Sequence, residues 1–127
     1  MPVKDKDSSR IFKTAWFNKA AKKAHISDDE LCLAIWQVIQ GQVDDLGGGV
    51  FKKRLSDNNY RSIILTKSGK FWIYTYLFAK KDRENIDVAE RAEFKKLAKL
   101  YSRQPDSVID TEIKNGDLLE ICNEKKT

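Results

Sequence analysis

The sequence is poor in the residues that most often mark an enzyme centre or a membrane anchor. His25 is the only histidine among 127 residues, and no G-x-S-x-G or similar frame supplies it with a nucleophile. A Ser-His-Asp or Cys-His hydrolase is therefore unsupported. The two cysteines, Cys32 and Cys122, stand 90 residues apart without a CxxC spacing. That argues against structural zinc and suggests two reduced thiols. No stretch approaches the roughly 18 apolar residues that span a bilayer. The opening MPVKDKDSSR is charged and has no apolar core of a secretory signal, so a cytoplasmic setting without membrane contact is expected. Gly47-Gly48-Gly49 lacks the preceding strand and the GK[ST] ending of a P-loop, and reads as a sharp connection. No paired carboxylates sit on the central strands, so acid/base chemistry of the glycosidase kind has no basis. The residues indicate no cofactor and no metal.

Positive charge is present, and it is concentrated. Between Phe51 and Arg83 lie nine basic residues and two acids, whereas the other 94 residues carry 15 basic and 17 acidic groups. The overall +5 thus comes wholly from one quarter of the chain. Such asymmetry fits a polyanion-binding surface, or else a strand edge protected by lysines.

Length fits one domain, 10–122, with a polar arm over 1–9 and a tail over 123–127. Arg10 to Thr14 reads as a short strand or the start of the first helix. Trp16, Phe17, Ala20, Ala21 and Ala24 recur at helical spacing. Ser27-Asp28-Asp29-Glu30 is a capping-box pattern opening a second helix that buries Leu31, Ile35, Val38 and Ile39 and stops at Gly41. The period then changes to two. Strands are expected over Val50–Leu55, Tyr60–Lys67 and Lys70–Ala79, joined by Ser56-Asp57-Asn58-Asn59 and by Ser68-Gly69. Val88–Ser102 is helical, with Val88, Phe94, Leu97, Ala98 and Tyr101 on one face. A short helix follows Pro105, and Leu118–Ile121 returns as an edge strand. The fold class is α+β: a helical hairpin on a small antiparallel sheet, with helices on one face and C-terminal helices after it.

Strict alternation along the third central strand places Lys70, Trp72, Tyr74, Tyr76, Phe78 and Lys80 on one face. Aromatics mixed with lysines suit base stacking and phosphate neutralisation. Trp72 and Tyr74 are open to either a core or a binding role, and Phe78 beside Lys80 leans to binding. A cationic site without histidine can still cleave RNA, because the substrate's own 2′-hydroxyl is the nucleophile. The protein then needs only to hold phosphate, stabilise the transition-state charge and move protons.

The segments LGGG-V-FKKRL, NYRSIIL and FAKKDRENI, in this order of elements, resemble the RelE/HigB-type toxins of bacterial toxin-antitoxin modules, over roughly Phe12 to Ile121. The resemblance implies a RelE/ParE-like fold and a small endoribonuclease that cuts mRNA in the ribosomal A site. It also implies a cognate antitoxin. By position, the catalytic residues it implies are Lys53 (as base), Arg54, Arg61 and Lys81. Lys52, Lys80, Arg83, Tyr76 and Phe78 would contact RNA. Related toxins place a tyrosine or a histidine near the C-terminal end of the catalytic surface. Beyond Lys80 this chain offers only Tyr101. Two other readings stand beside the nuclease: a ParE-like toxin acting on DNA gyrase or another protein, and a non-catalytic nucleic-acid-binding module.

Overall fold

A computed structural model describes residues 9–122; residues 1–8 of the arm and the tail over 123–127 lie outside the described residues. The elements run β1 (Arg10–Thr14), α1 (Ala15–Lys23), α2 (Asp28–Ile39), β2 (Asp44–Gly47), β3 (Val50–Leu55), β4 (Tyr60–Lys67), β5 (Phe71–Ala79), α3 (Val88–Arg103), α4 (Ser107–Lys114) and β6 (Leu118–Ile121). They form an α+β fold around one six-stranded sheet of order β2-β3-β4-β5-β1-β6.

The expected antiparallel meander holds for β3 to β5. However, β1 inserts beside β5 in parallel and receives β6 antiparallel, so the sheet is mixed. The segment Asp44–Gly47, expected as a connection, is a strand that folds back on β3 across the glycine turn. Helices cover both faces, not one. Ile11, Ile64, Trp72 and Tyr74 pack with Phe17, Leu31 and Ile35 under α1 and α2. The alternating residues Phe12, Ile63, Leu65 and Ile73 face α3 and α4. Period-two alternation along strands that are apolar on both sides requires a layer on each side.

One irregularity decides which aromatics share a face. Ile63 pairs with Tyr76 and Ile64 with Tyr74, which leaves Thr75 as an extra residue in β5. This β-bulge resets the alternation. Trp72 and Tyr74 therefore point into the α1/α2 core, whereas Tyr76 and Phe78 join the α3 side. Tyr74 is core: its hydroxyl donates to the Leu31 carbonyl at 2.7 Å, and burial pushes its pKa far above the ordinary value.

The helix ends follow local chemistry. His25, at φ 59°, closes α1 with His25 N–H to Lys22 O and Ile26 N–H to Ala21 O, the paired bonds of a Schellman motif. Gly41 closes α2 in the same way. Only half of the expected capping box forms at α2. Ser27 Oγ accepts from Glu30 N–H, but the Glu30 carboxylate takes the Ser56 amide in the β3–β4 turn instead. Trp16 and Val88, both placed on apolar helix faces by spacing, are exposed.

The two thiols are not separate. Cys32 on α2 and Cys122 just after β6 form a disulfide, with Cα atoms 5.5 Å apart. Both α2 and the end of β6 border the same core, and that tertiary closeness was invisible in a spacing of 90 residues. Among the described residues no helix is long and apolar enough to cross a membrane.

Candidate active site

Cross-strand register builds the cationic site. Arg54 of β3 pairs directly with Arg61 of β4, and Arg61 with Phe78 of β5. The adjacent same-face row is Lys52, Ile63 and Tyr76. Ile63 and Phe78 belong to the cluster under α3, so Lys52, Arg54 and Arg61 are presented on that side of the sheet. Like charges directly opposite each other on a sheet are destabilising. Arg61 is also only 8% exposed, a further cost for a charge, and the carbonyls of Asn58 (3.0 Å) and Tyr60 (3.3 Å) that accept from its Nη1 offset part of it. Asn58 supplies its carbonyl from a turn in which Ser56, Asp57 and Asn58 all have positive φ.

Lys80 and Lys81 are brought to the same end of the sheet. The Lys80 amide donates to Asn59 O at 2.9 Å, which ties the exit of β5 to the β3–β4 turn. Both lysines line a cavity of about 460 Å³ with Asn59, Tyr60 and Ala79. Arg83 lies over the Phe78 ring, 5.4 Å from its centroid, and pairs with Glu90 in the first turn of α3. Lys52 sits 3.8 Å from Asp44 of β2. Among the described residues Arg54, Arg61, Lys80 and Lys81 have no ion-pair partner, so this end of the sheet is electrostatically uncompensated.

Lys53 starts from the other face of β3 and meets Lys52 and Arg54 only at the β2 edge, in a cavity of about 260 Å³ that also holds Gln42, Val43 and Asp44. It alternates with Lys52 and Arg54 onto the α1/α2 side, where its Nζ donates to Gln42 O at 3.0 Å. Burial, and then the charge of Arg54, lower its pKa below the ordinary lysine value. The two aromatics expected to stack on RNA are largely covered by protein. Tyr76 lies between Trp16 (5.2 Å) and Phe94 (5.9 Å), and Phe78 is buried under Arg83. Tyr101 gives its hydroxyl to Glu112 at 3.1 Å, and burial followed by that carboxylate raises its pKa.

Two residues at the site were missed from sequence. Glu90 holds Arg83 and completes a capping box with Asp87 at the start of α3; the Asp87-x-x-Glu90 spacing carried that signal. Trp16 was assigned to the core side of its helix. It is instead half exposed and stacked on Tyr76.

No curated protein matches the chain. A family model described as "RelE toxin of RelE / RelB toxin-antitoxin system" matches residues 9–121, from the residue before β1 to the last residue of β6. The matched span takes in every strand and helix of the fold, and the chain belongs to the RelE toxin family.

Proposed function

We propose that this toxin is an endoribonuclease that cuts mRNA on the ribosome. The observation that carries the reading is the uncompensated Arg54–Arg61 cross-strand pair, with Lys52 on the same face and Lys81 just beyond the neighbouring Tyr60–Ala79 pair. A scissile phosphodiester docked there meets the exposed Arg54 guanidinium, which suits bidentate phosphate contacts, with the charge of the buried Arg61 behind it to favour the extra negative charge of a pentavalent transition state. The 2′-oxygen attacks phosphorus as its proton passes to a base. The P–O5′ bond then breaks and the leaving oxygen takes a proton. The products are a 2′,3′-cyclic phosphate and a 5′-hydroxyl. Lys52, on the arginine face, is the proton acceptor in this scheme rather than Lys53, and Lys81 is the donor to the leaving oxygen. Lys80 and Arg83 extend the phosphate contacts along the strand. The antitoxin would neutralise the toxin by bringing acidic residues over this face.

The test is inducible expression in a bacterium with primer-extension mapping of abundant transcripts, wild type beside Arg54→Ala. Arg54 is exposed, so its removal spares the fold. Cuts within translated regions that vanish in the variant are expected. Growth arrest with intact transcripts would refute the nuclease and point to gyrase or another protein target. Salt-dependent RNA binding without arrest would leave a binding module.

A further inference from the structure

β1 pairs with β5 only as far as Tyr74, and among the described residues no strand lies beside Tyr76–Phe78 on that side. The chain turns there into α1, and the gap opens as a pocket of about 410 Å³. Its walls include Trp16 and Lys23 from one stripe of α1, Tyr60, Tyr76 and, from the exit of β5, Lys81 and Arg83. Trp16 is 52% exposed. One face of its indole is stacked on Tyr76, with centroids 5.2 Å apart and planes 28° from parallel. Among the described residues its ring N–H has no hydrogen-bond acceptor. An exposed tryptophan braced from behind by a second ring is costly as surface and well suited as a platform, because bracing removes the rotamer freedom a stacking partner would otherwise have to quench.

We propose that Trp16 is a stacking platform for one unpaired nucleobase of the RNA, whose flanking phosphate is held by Lys81 and Lys23. The inference rests on the ribonuclease reading and gives that site a base-binding pocket beside its phosphate-binding row. Lys23 and Lys81 against the single lining acid Asp82, with Arg83 already paired to Glu90, set the sign of the ligand, and the flat braced ring sets its shape. The pocket volume falls within the range of small-ligand sites. It shares Tyr60, Ala79 and Lys81 with the cavity at the exit of β5, so a strand of RNA can run from one to the other without leaving the surface.

The experiment measures binding of the full chain to a short single-stranded oligoribonucleotide with 2′-O-methyl sugars, which blocks cleavage. A twin oligonucleotide carrying abasic sites separates base from phosphate contacts. Trp16→Leu should weaken binding of the intact oligonucleotide by roughly 5- to 150-fold, the range for loss of one base–aromatic stack. It should leave the abasic twin unaffected, and Trp16→Phe should recover most of the loss. Thermal melts of both variants guard against misfolding. Unchanged affinity in Trp16→Leu while Arg54→Ala weakens binding would overturn the stacking assignment and leave the nuclease reading standing. If neither substitution weakens binding, both fall. If Trp16→Leu instead abolishes antitoxin binding while RNA affinity is intact, the pocket is a protein contact and the inference is wrong.

Discussion

Lys52 and Lys53 are neighbours in sequence and lie on opposite faces of β3, and the chemistry assigned to each follows from the face. Lys53 has the feature usually sought in a lysine base, an ammonium whose charge is disfavoured by burial and by a nearby guanidinium. Its ammonium nevertheless donates to Gln42 O from the opposite face of β3, although it shares the cavity beside β2 with Lys52 and Arg54. Geometry takes precedence, because a base must reach the proton it removes. Lys52→Ala should therefore lower the cleavage rate by about 100-fold or more, whereas Lys53→Ala should cost less than about 10-fold. Single-turnover cleavage on programmed ribosomes measures both. The reverse order would return the base to Lys53. In that case the rate would rise with pH through a value below the ordinary lysine pKa of 10.5.

At the scale of elements, the N-terminus of α3 is a clamp. Asp87 caps the Glu90 amide at 2.8 Å, and Glu90 accepts from both the Asp87 amide and the Arg83 guanidinium. Arg83 thereby fastens the exit of β5, with its two lysines, to the helix that covers the sheet. The Arg83 hydrogen bond first, and the Asp87 amide second, hold the Glu90 carboxyl below its ordinary value of 4.5. A carboxyl with a depressed folded pKa stabilises the fold above its unfolded value, and the contribution is lost as pH falls through the folded one. The clamp should therefore be intact at neutral pH and weaken on acidification below about pH 4.5. In Glu90→Gln, melting temperature should depend less on pH over that window than in wild type, and identical curves would deny the clamp. This element was legible in sequence as a helix, from the spacing of Phe94, Leu97, Ala98 and Tyr101. So were the helical hairpin and the three long strands, because their patterns are local. What was illegible is what depends on pairing partners. The extra residue Thr75 separates Trp72 and Tyr74 from Tyr76 and Phe78, and no residue type at that point announces a bulge. Glu30 left its expected cap because a turn 26 residues away offered a better donor. The positions of Arg54 and Arg61 in the chain were readable. That they stand directly opposite each other was not, because register is a property of two strands.

Across the whole molecule, the two faces of the sheet divide the work. The α1/α2 side holds the larger core and the Cys32–Cys122 disulfide, and the α3 side carries the arginine row. The disulfide joins α2 to the end of β6, the last described strand, and so closes everything between them into one loop, with β1 and α1 outside it. Without it, β6 is held by its pairing with β1, by Leu118 and Ile121 in the two cores, and by the Arg10–Glu120 ion pair at 2.7 Å. Those contacts suffice to define the fold, so reduction should lower stability without removing the site, which lies on other strands. Closing a loop of 90 residues is worth about 4.5 kcal/mol on the chain-entropy account, an upper figure because denatured chains keep some structure. For a chain of this size that corresponds to a fall of about 15 °C in melting temperature. Adding a thiol reductant to the purified protein should produce the shift, and Cys122→Ser should show the lower value with or without reductant. If wild type melts at the same temperature in both conditions, the two sulfurs are not bonded in solution. RNA affinity measured in parallel should be unchanged by reduction, since Arg54, Arg61 and Lys81 are anchored by β3, β4 and β5 rather than by the strand the disulfide secures.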